Sequence, residues 1–155
     1  MKEGTTTEFK NIILVDDDSD DRELFTEALS FIHPLAEIQT KRDGEELMEY
    51  LSNISRIPDV IFLDLNMPRK NGKACLQEIR ANKQFENTPI VIYTTSLNPI
   101  DIQETFSQGA SFFLKKPNSF EELKHILHNL LYSQLTNASG RSRAQFVVSR
   151  TISIG

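Results

Sequence analysis

Asp16, Asp17 and Asp18 directly follow an apolar run at residues 12–15, and Asp64 directly follows another at 60–63. Two further runs, 90–93 and 112–114, end in Thr94-Thr95-Ser96 and Lys115-Lys116-Pro117. Carboxylates brought together repel one another, and a hard dication such as Mg²⁺ relieves this by taking carboxylate, carbonyl and water oxygens. A lysine and a hydroxyl beside the ion would complete a clamp for a phosphoryl group. The charges balance, since Asp16, Asp17 and Asp64 are offset by Mg²⁺ and Lys116.

Each signal also has a plainer reading. The acids from Asp16 to Asp21 suit the first turn of a helix, whose dipole favours negative charge. Lys115-Lys116-Pro117 could be an ordinary strand end, Thr94 a β-branched strand residue, and Thr95 and Ser96 caps for the next helix. Asp64 resists such treatment, because an unpaired carboxylate at the end of a buried run is costly. A calcium loop starting at Asp16 fails: Asp21 stands where that loop needs glycine, and a strand precedes it.

The apolar runs read as strands of a parallel sheet covered on both faces, because they are Val/Ile/Phe-rich and lack polar alternation. A weaker strand is expected at 37–40. Between the strands lie amphipathic stretches at 20–31, with Leu24, Phe25, Ala28 and Leu29 on one stripe, and at 45–51, 73–80, 99–109 and 120–131. Pro99 suits a first helical turn, and Ser119 with Glu122 forms a capping box. Strand and helix alternate five times, which implies a doubly wound α/β fold with right-handed crossovers. Such sheets bind ligands beyond the carboxyl ends of their strands, where the four groups of polar residues lie.

Composition permits one domain: 39% of residues are hydrophobic and 25% charged. The longest apolar runs are far short of the roughly twenty residues of a bilayer span. Residues 1–10 lack the apolar stretch of a secretory signal and are expected to be a flexible segment. One cysteine, Cys75, excludes an intrachain disulfide, so the cytosol is the expected compartment. Net charge is −5; residues 137–155 carry Arg141, Arg143 and Arg150 and no acid, which leaves −8 on residues 1–136. An acidic body argues against nucleic-acid binding.

With these elements in place, the chain resembles the receiver domain of two-component response regulators, the fold of the chemotaxis response regulator. The matching motifs are Ile13-Leu14-Val15-Asp16-Asp17, the stretch from Asp59 to Pro68 with Gly72, Pro89 to Thr95, and Gly109-Ala110-Ser111 leading to Lys116-Pro117. They span residues 11–132. The opening from Val15 to Glu23 is similar to regulators that partner phytochromes. The resemblance implies a flavodoxin-like five-stranded parallel sheet of order 2-1-3-4-5.

Carried onto this sequence, the resemblance makes Asp64 the acceptor of phosphate from a phosphohistidine of a sensor histidine kinase or histidine phosphotransfer protein. Asp16, Asp17, Asp64 and the main-chain carbonyl of Asn66 would hold Mg²⁺, or Mn²⁺. Thr94, Thr95 and Lys116 would bind the phosphoryl oxygens, with the Lys116–Pro117 bond cis. Thr94 and Phe113 would form the switch, with Phe113 in place of the frequent tyrosine. Asn66 and Ser96 would tune dephosphorylation. The signal face, formed by 99–109, 112–115 and 120–131, would meet a downstream protein target and could pair two copies.

Residues 133–155 are too few for an output domain, so a stand-alone receiver is expected, its extension either disordered or an arm that pairs with a second copy. His33, His125 and His128 read as surface residues, and Cys75 as core. Two other functions compete. A phosphatase of the haloacid-dehalogenase type would use Asp16 of Asp16-Asp17-Asp18 as nucleophile, whereas a phosphate-independent scaffold would not need the acidic set.

Overall fold

The computed structural model describes residues 9–135 and 143–148. Strands β1 (Asn11–Val15), β2 (Glu37–Lys41), β3 (Val60–Leu63), β4 (Ile90–Thr94) and β5 (Phe112–Lys115) alternate with helices α1 (Ser19–Ile32), α2 (Gly44–Ser52), α3 (Gly72–Arg80), α4 (Pro99–Ser107) and α5 (Phe120–Asn129). Every strand pair is parallel, in an order that runs β2-β1-β3-β4-β5 and closes on a sixth strand beside β5. The sixth strand, β6 (Val147–Val148), follows a single helical turn, α6 (Arg143–Phe146).

Successive strand residues serve opposite faces, so the sheet carries two cores. Ile12, Leu14, Val60, Phe62, Val91 and Tyr93 pack with Phe25, Ala28 and Leu29 of α1 and Leu123, Ile126 and Leu127 of α5. Ile13, Val15, Ile61, Leu63, Ile90 and Ile92 pack on the other side, with Leu47 and Leu51 of α2 and Cys75, Leu76 and Ile79 of α3. The central strands are buried on both faces, which is why they read as unbroken apolar runs. Each of the five main helices starts on a short polar residue whose side chain accepts main-chain N–H groups: Asp18, Asp43, Asn71, Asn98 and Ser119. Asn98, rather than Thr95 or Ser96, caps α4.

Several boundaries differ from the sequence expectation. Phe9, assigned to the flexible segment, is buried in the α1–α5 core, because its ring joins the apolar surface where β1 begins. The last helix continues through a π-helical stretch, Leu130–Gln134, which delivers Leu130, Leu131 and Leu135 to that core. Leu24, expected on the apolar stripe, is exposed. The five expected strands stand in the expected order, and a sixth extends them: Val147 and Val148 pair with Phe113 and Leu114, where β-branched residues complete an otherwise unpaired edge. Residues 147–148 thus lie against β5 of the same chain. The expectations for residues 1–8, 136–142 and 149–155 lie outside the described residues.

Candidate phosphoacceptor site

The register places the site. Val15 pairs with Leu63, and the Asp64 N–H donates to the Val15 carbonyl at 3.0 Å, so Asp16 and Asp64 emerge side by side. Thr94 pairs with Lys115, and the Lys116 N–H donates to the Thr94 carbonyl at 2.7 Å, which turns the Lys116 side chain toward the acids. One oxygen each from Asp16, Asp17 and Asp64 lies within 4.8 Å of the others. Lys116 Nζ sits 2.7 Å from Asp16 Oδ2, 2.9 Å from Asp21 Oδ2 and 3.4 Å from Asp64 Oδ2.

Burial pushes the Asp16 carboxyl up to about 6, although Lys116 and the Asp18 N–H both favour its charged form. Burial acts on Lys116 in the downward sense, but its bonds to Asp16 and Asp21 and the Asp64 charge more than offset that and hold it above the ordinary lysine range. Lys116 therefore stays charged. Asp16 Oδ2 is fully buried and, its ion pair with Lys116 aside, accepts no aligned hydrogen bond among the described residues. An under-satisfied buried oxygen facing two more carboxylates fits a hard, oxygen-seeking dication.

The loop after Asp64 is held from beneath. A Cβ on Gly72 would lie 2.2 Å from the Asp64 carbonyl oxygen, so only glycine lets α3 start this close to the end of β3. Arg69 has φ 65°, a left-handed conformation, and its guanidinium pairs with the buried Asp43 carboxylate that caps α2. The Asn66 N–H donates to Asp64 Oδ1 at 3.3 Å.

Of the residues singled out in the sequence, the fold gathers Asp16, Asp17, Asp64 and Lys116, with Thr94 buried at the neighbouring strand end. Asn66, Thr95 and Ser96 are exposed on the flanking loops. Phe113 is fully buried, its ring 6.0 Å from Phe146, which in turn lies 5.2 Å from Phe106. No cis peptide occurs among the described residues, so the expected cis Lys116–Pro117 bond is corrected to trans. Trans is the intrinsically preferred isomer by about 0.5–1 kcal/mol, and Lys116 reaches all three carboxylates from it.

Asp21 and the Asp43–Arg69 pair escaped the sequence reading. Asp21 is one of five acids in the six residues from Asp16 to Asp21, and nothing local separates it from a helix-dipole residue. His125 and His128 are exposed, as expected. His33 is half-buried instead, its Nε2 2.9 Å from the Phe9 carbonyl oxygen and its Nδ1 2.7 Å from the Tyr132 hydroxyl, because the Phe9 segment covers it. Cys75 is buried, and burial pushes its thiol up to about 11, which leaves it inert at neutral pH.

Residues 12–128 match the model of the response regulator receiver domain. The chain belongs to that family. The receiver is 32% identical over 126 residues to response regulator Rcp1 of Synechocystis sp., an alignment covering 78% of this chain and 86% of Rcp1. Its fold is similar to that of the phosphorylated cyanobacterial phytochrome response regulator RcpA, with TM-score 0.75, 34% identity, and 84% and 96% of the two chains covered. A Mn²⁺-bound structure of Rcp1 superposes on the receiver with TM-score 0.72 at 28% identity, over 86% and 97% of the chains. Receivers are signalling modules of two-component systems and work with histidine kinases. No helix among the receiver's described residues is long and apolar enough to cross a membrane.

Proposed function

We propose that the receiver accepts a phosphoryl group on Asp64 from the phosphohistidine of a sensor kinase or histidine phosphotransfer protein. The observation that carries this reading is the seating of Lys116 Nζ between Asp16 and Asp64, with an Asp17 oxygen alongside. The Asp64 carboxylate is already a nucleophile at neutral pH, so no base is needed: an Oδ–P bond forms as the P–N bond breaks, and its electron pair leaves with the imidazole. Lys116 and Thr94 would hold the phosphoryl oxygens, Thr95 standing beside them. Asp16, Asp17, Asp64 and the Asn66 carbonyl would hold Mg²⁺, or the Mn²⁺ seen in Rcp1. Bound there, the cation supplies charge neutralisation for transfer.

Signalling would follow from movement of Thr94 and Phe113 and be read on the face of α4, β5 and α5, while Asn66 and Ser96 set the phosphate lifetime. The described part of the extension is engaged on β5 within the chain. A homodimer through this face would therefore use the outer surfaces of α4 and α5. Family membership and the nearly full coverage of RcpA favour this reading over a phosphatase with Asp16 as nucleophile.

The test is intact mass after incubation with acetyl phosphate and Mg²⁺. One phosphate adduct that disappears with chelator and in Asp64→Asn is expected. An adduct that survives Asp64→Asn would move the acceptor to another aspartate, and failure of the wild type to bind beryllofluoride would favour a phosphate-independent scaffold.

A further inference from the structure

Lys116 carries three N–H donors, and three carboxylates surround its Nζ. A phosphoryl-type anion on Asp64 takes the place of the Asp64 oxygen and competes for this lysine with the carboxylates that remain, Asp16 and Asp21. Asp16 and Asp64 are buried at the strand ends, whereas the Asp21 side chain keeps 31% of its exposure. Asp21 also lies in the first turn of α1, where main-chain dipoles and water support a carboxylate without the lysine. Of the three partners, Asp21 is the one released at least cost.

We propose that Asp21 is a positioning residue: a counter-anion that holds Lys116 in the unphosphorylated receiver and limits how tightly the site retains a phosphoryl-type anion. The inference rests on the assignment of Asp64 as acceptor. Asp21 opposes the incoming anion in two ways, by occupying a Lys116 donor at 2.9 Å and by placing a like charge beside the anion's lysine. Asp20, in the same helical turn, is exposed and provides a control for charge at that helix end.

The experiment is a calorimetric titration of the full chain with beryllofluoride at saturating Mg²⁺, with Mg²⁺ affinity measured separately. Asp21→Asn should bind beryllofluoride about fivefold more tightly, the scale of one partly exposed ion pair. Asp20→Asn should stay within about twofold of wild type, and Asp21→Glu should return toward it. Mg²⁺ should bind Asp21→Asn no more tightly than wild type, since a negative charge has been removed. A merely structural defect would weaken both ligands. Unchanged or weaker beryllofluoride binding by Asp21→Asn, with wild-type binding intact and lost in Asp64→Asn, overturns this inference alone. Absence of wild-type binding overturns it together with the acceptor assignment.

Discussion

The Phe146 ring lies 6.0 Å from that of Phe113, and both side chains are fully buried. The second contributes to β5 and the first comes from the turn before β6, so a residue outside the family-matched span 12–128 completes the core on that side of the sheet. Phe146→Ala should therefore destabilise the protein by about 3 kcal/mol, the lower range for removing a buried ring. Urea unfolding would check this.

Gly72→Ala is expected to be more harmful than its single methyl suggests. The added Cβ would meet the Asp64 carbonyl oxygen at 2.2 Å and the Leu65 Cα at 2.7 Å, both backbone atoms that cannot rotate away. A loss of about 2–3 kcal/mol is expected from overpacking of this kind. Weaker Mg²⁺ binding should accompany it, measured by calorimetry beside a thermal melt.

Asp43 does two jobs, capping α2 through the Glu46 N–H and pairing with Arg69. Asp43→Ala removes both and should cost about 1–2 kcal/mol, whereas Asp43→Asn keeps an acceptor for the cap and should cost less. The Glu46 N–H first, and then Arg69, hold the Asp43 carboxyl below the ordinary carboxylate range. A depressed pKa contributes stability that is complete above about pH 4 and lost as pH falls below it. The gap between wild type and Asp43→Asn should accordingly close in acid, as followed by urea melts from pH 6 to pH 3.

Asp16 has the opposite sign. Burial raises its carboxyl to about 6, so the folded state binds a proton that the unfolded chain has released. Without divalent cation, ionised Asp16 lowers stability as pH rises from about 4 to above 6, and the penalty is full at neutral pH. Asp16→Asn should gain Tm relative to wild type in chelator at pH 7, and that advantage should shrink at pH 5. Mg²⁺ should stabilise the wild type much more than the variant.

Much of this molecule is legible in the sequence because its central strands are buried on both faces. Val60–Leu63 and Ile90–Thr94 are wholly buried and stand out as apolar runs, whereas the edge strand Glu37–Lys41 has mixed exposure and gives only a faint signal. Asp16, Asp64 and Lys116, which the fold brings together, could be singled out because each lies at the end of an apolar run. Asp21 could not, since its ion pair is with a lysine 95 residues away. Nor could β6, whose two residues form a strand only because the open edge of β5 is there to receive them. Trans geometry at Lys116–Pro117 runs against the family expectation, and no local sequence feature distinguishes the isomers.

The short β6 also bears on how the protein behaves in a crowded solution. By pairing with Phe113 and Leu114, it covers the most apolar margin of the sheet with a strand only two residues long, too brief to recruit a neighbouring chain. The opposite margin, β2, runs from Glu37 to Lys41 with a charge at each end and Gln39 and Thr40 exposed between them. Among the described residues, neither margin offers the long, flat, apolar template on which misassembled fibres grow.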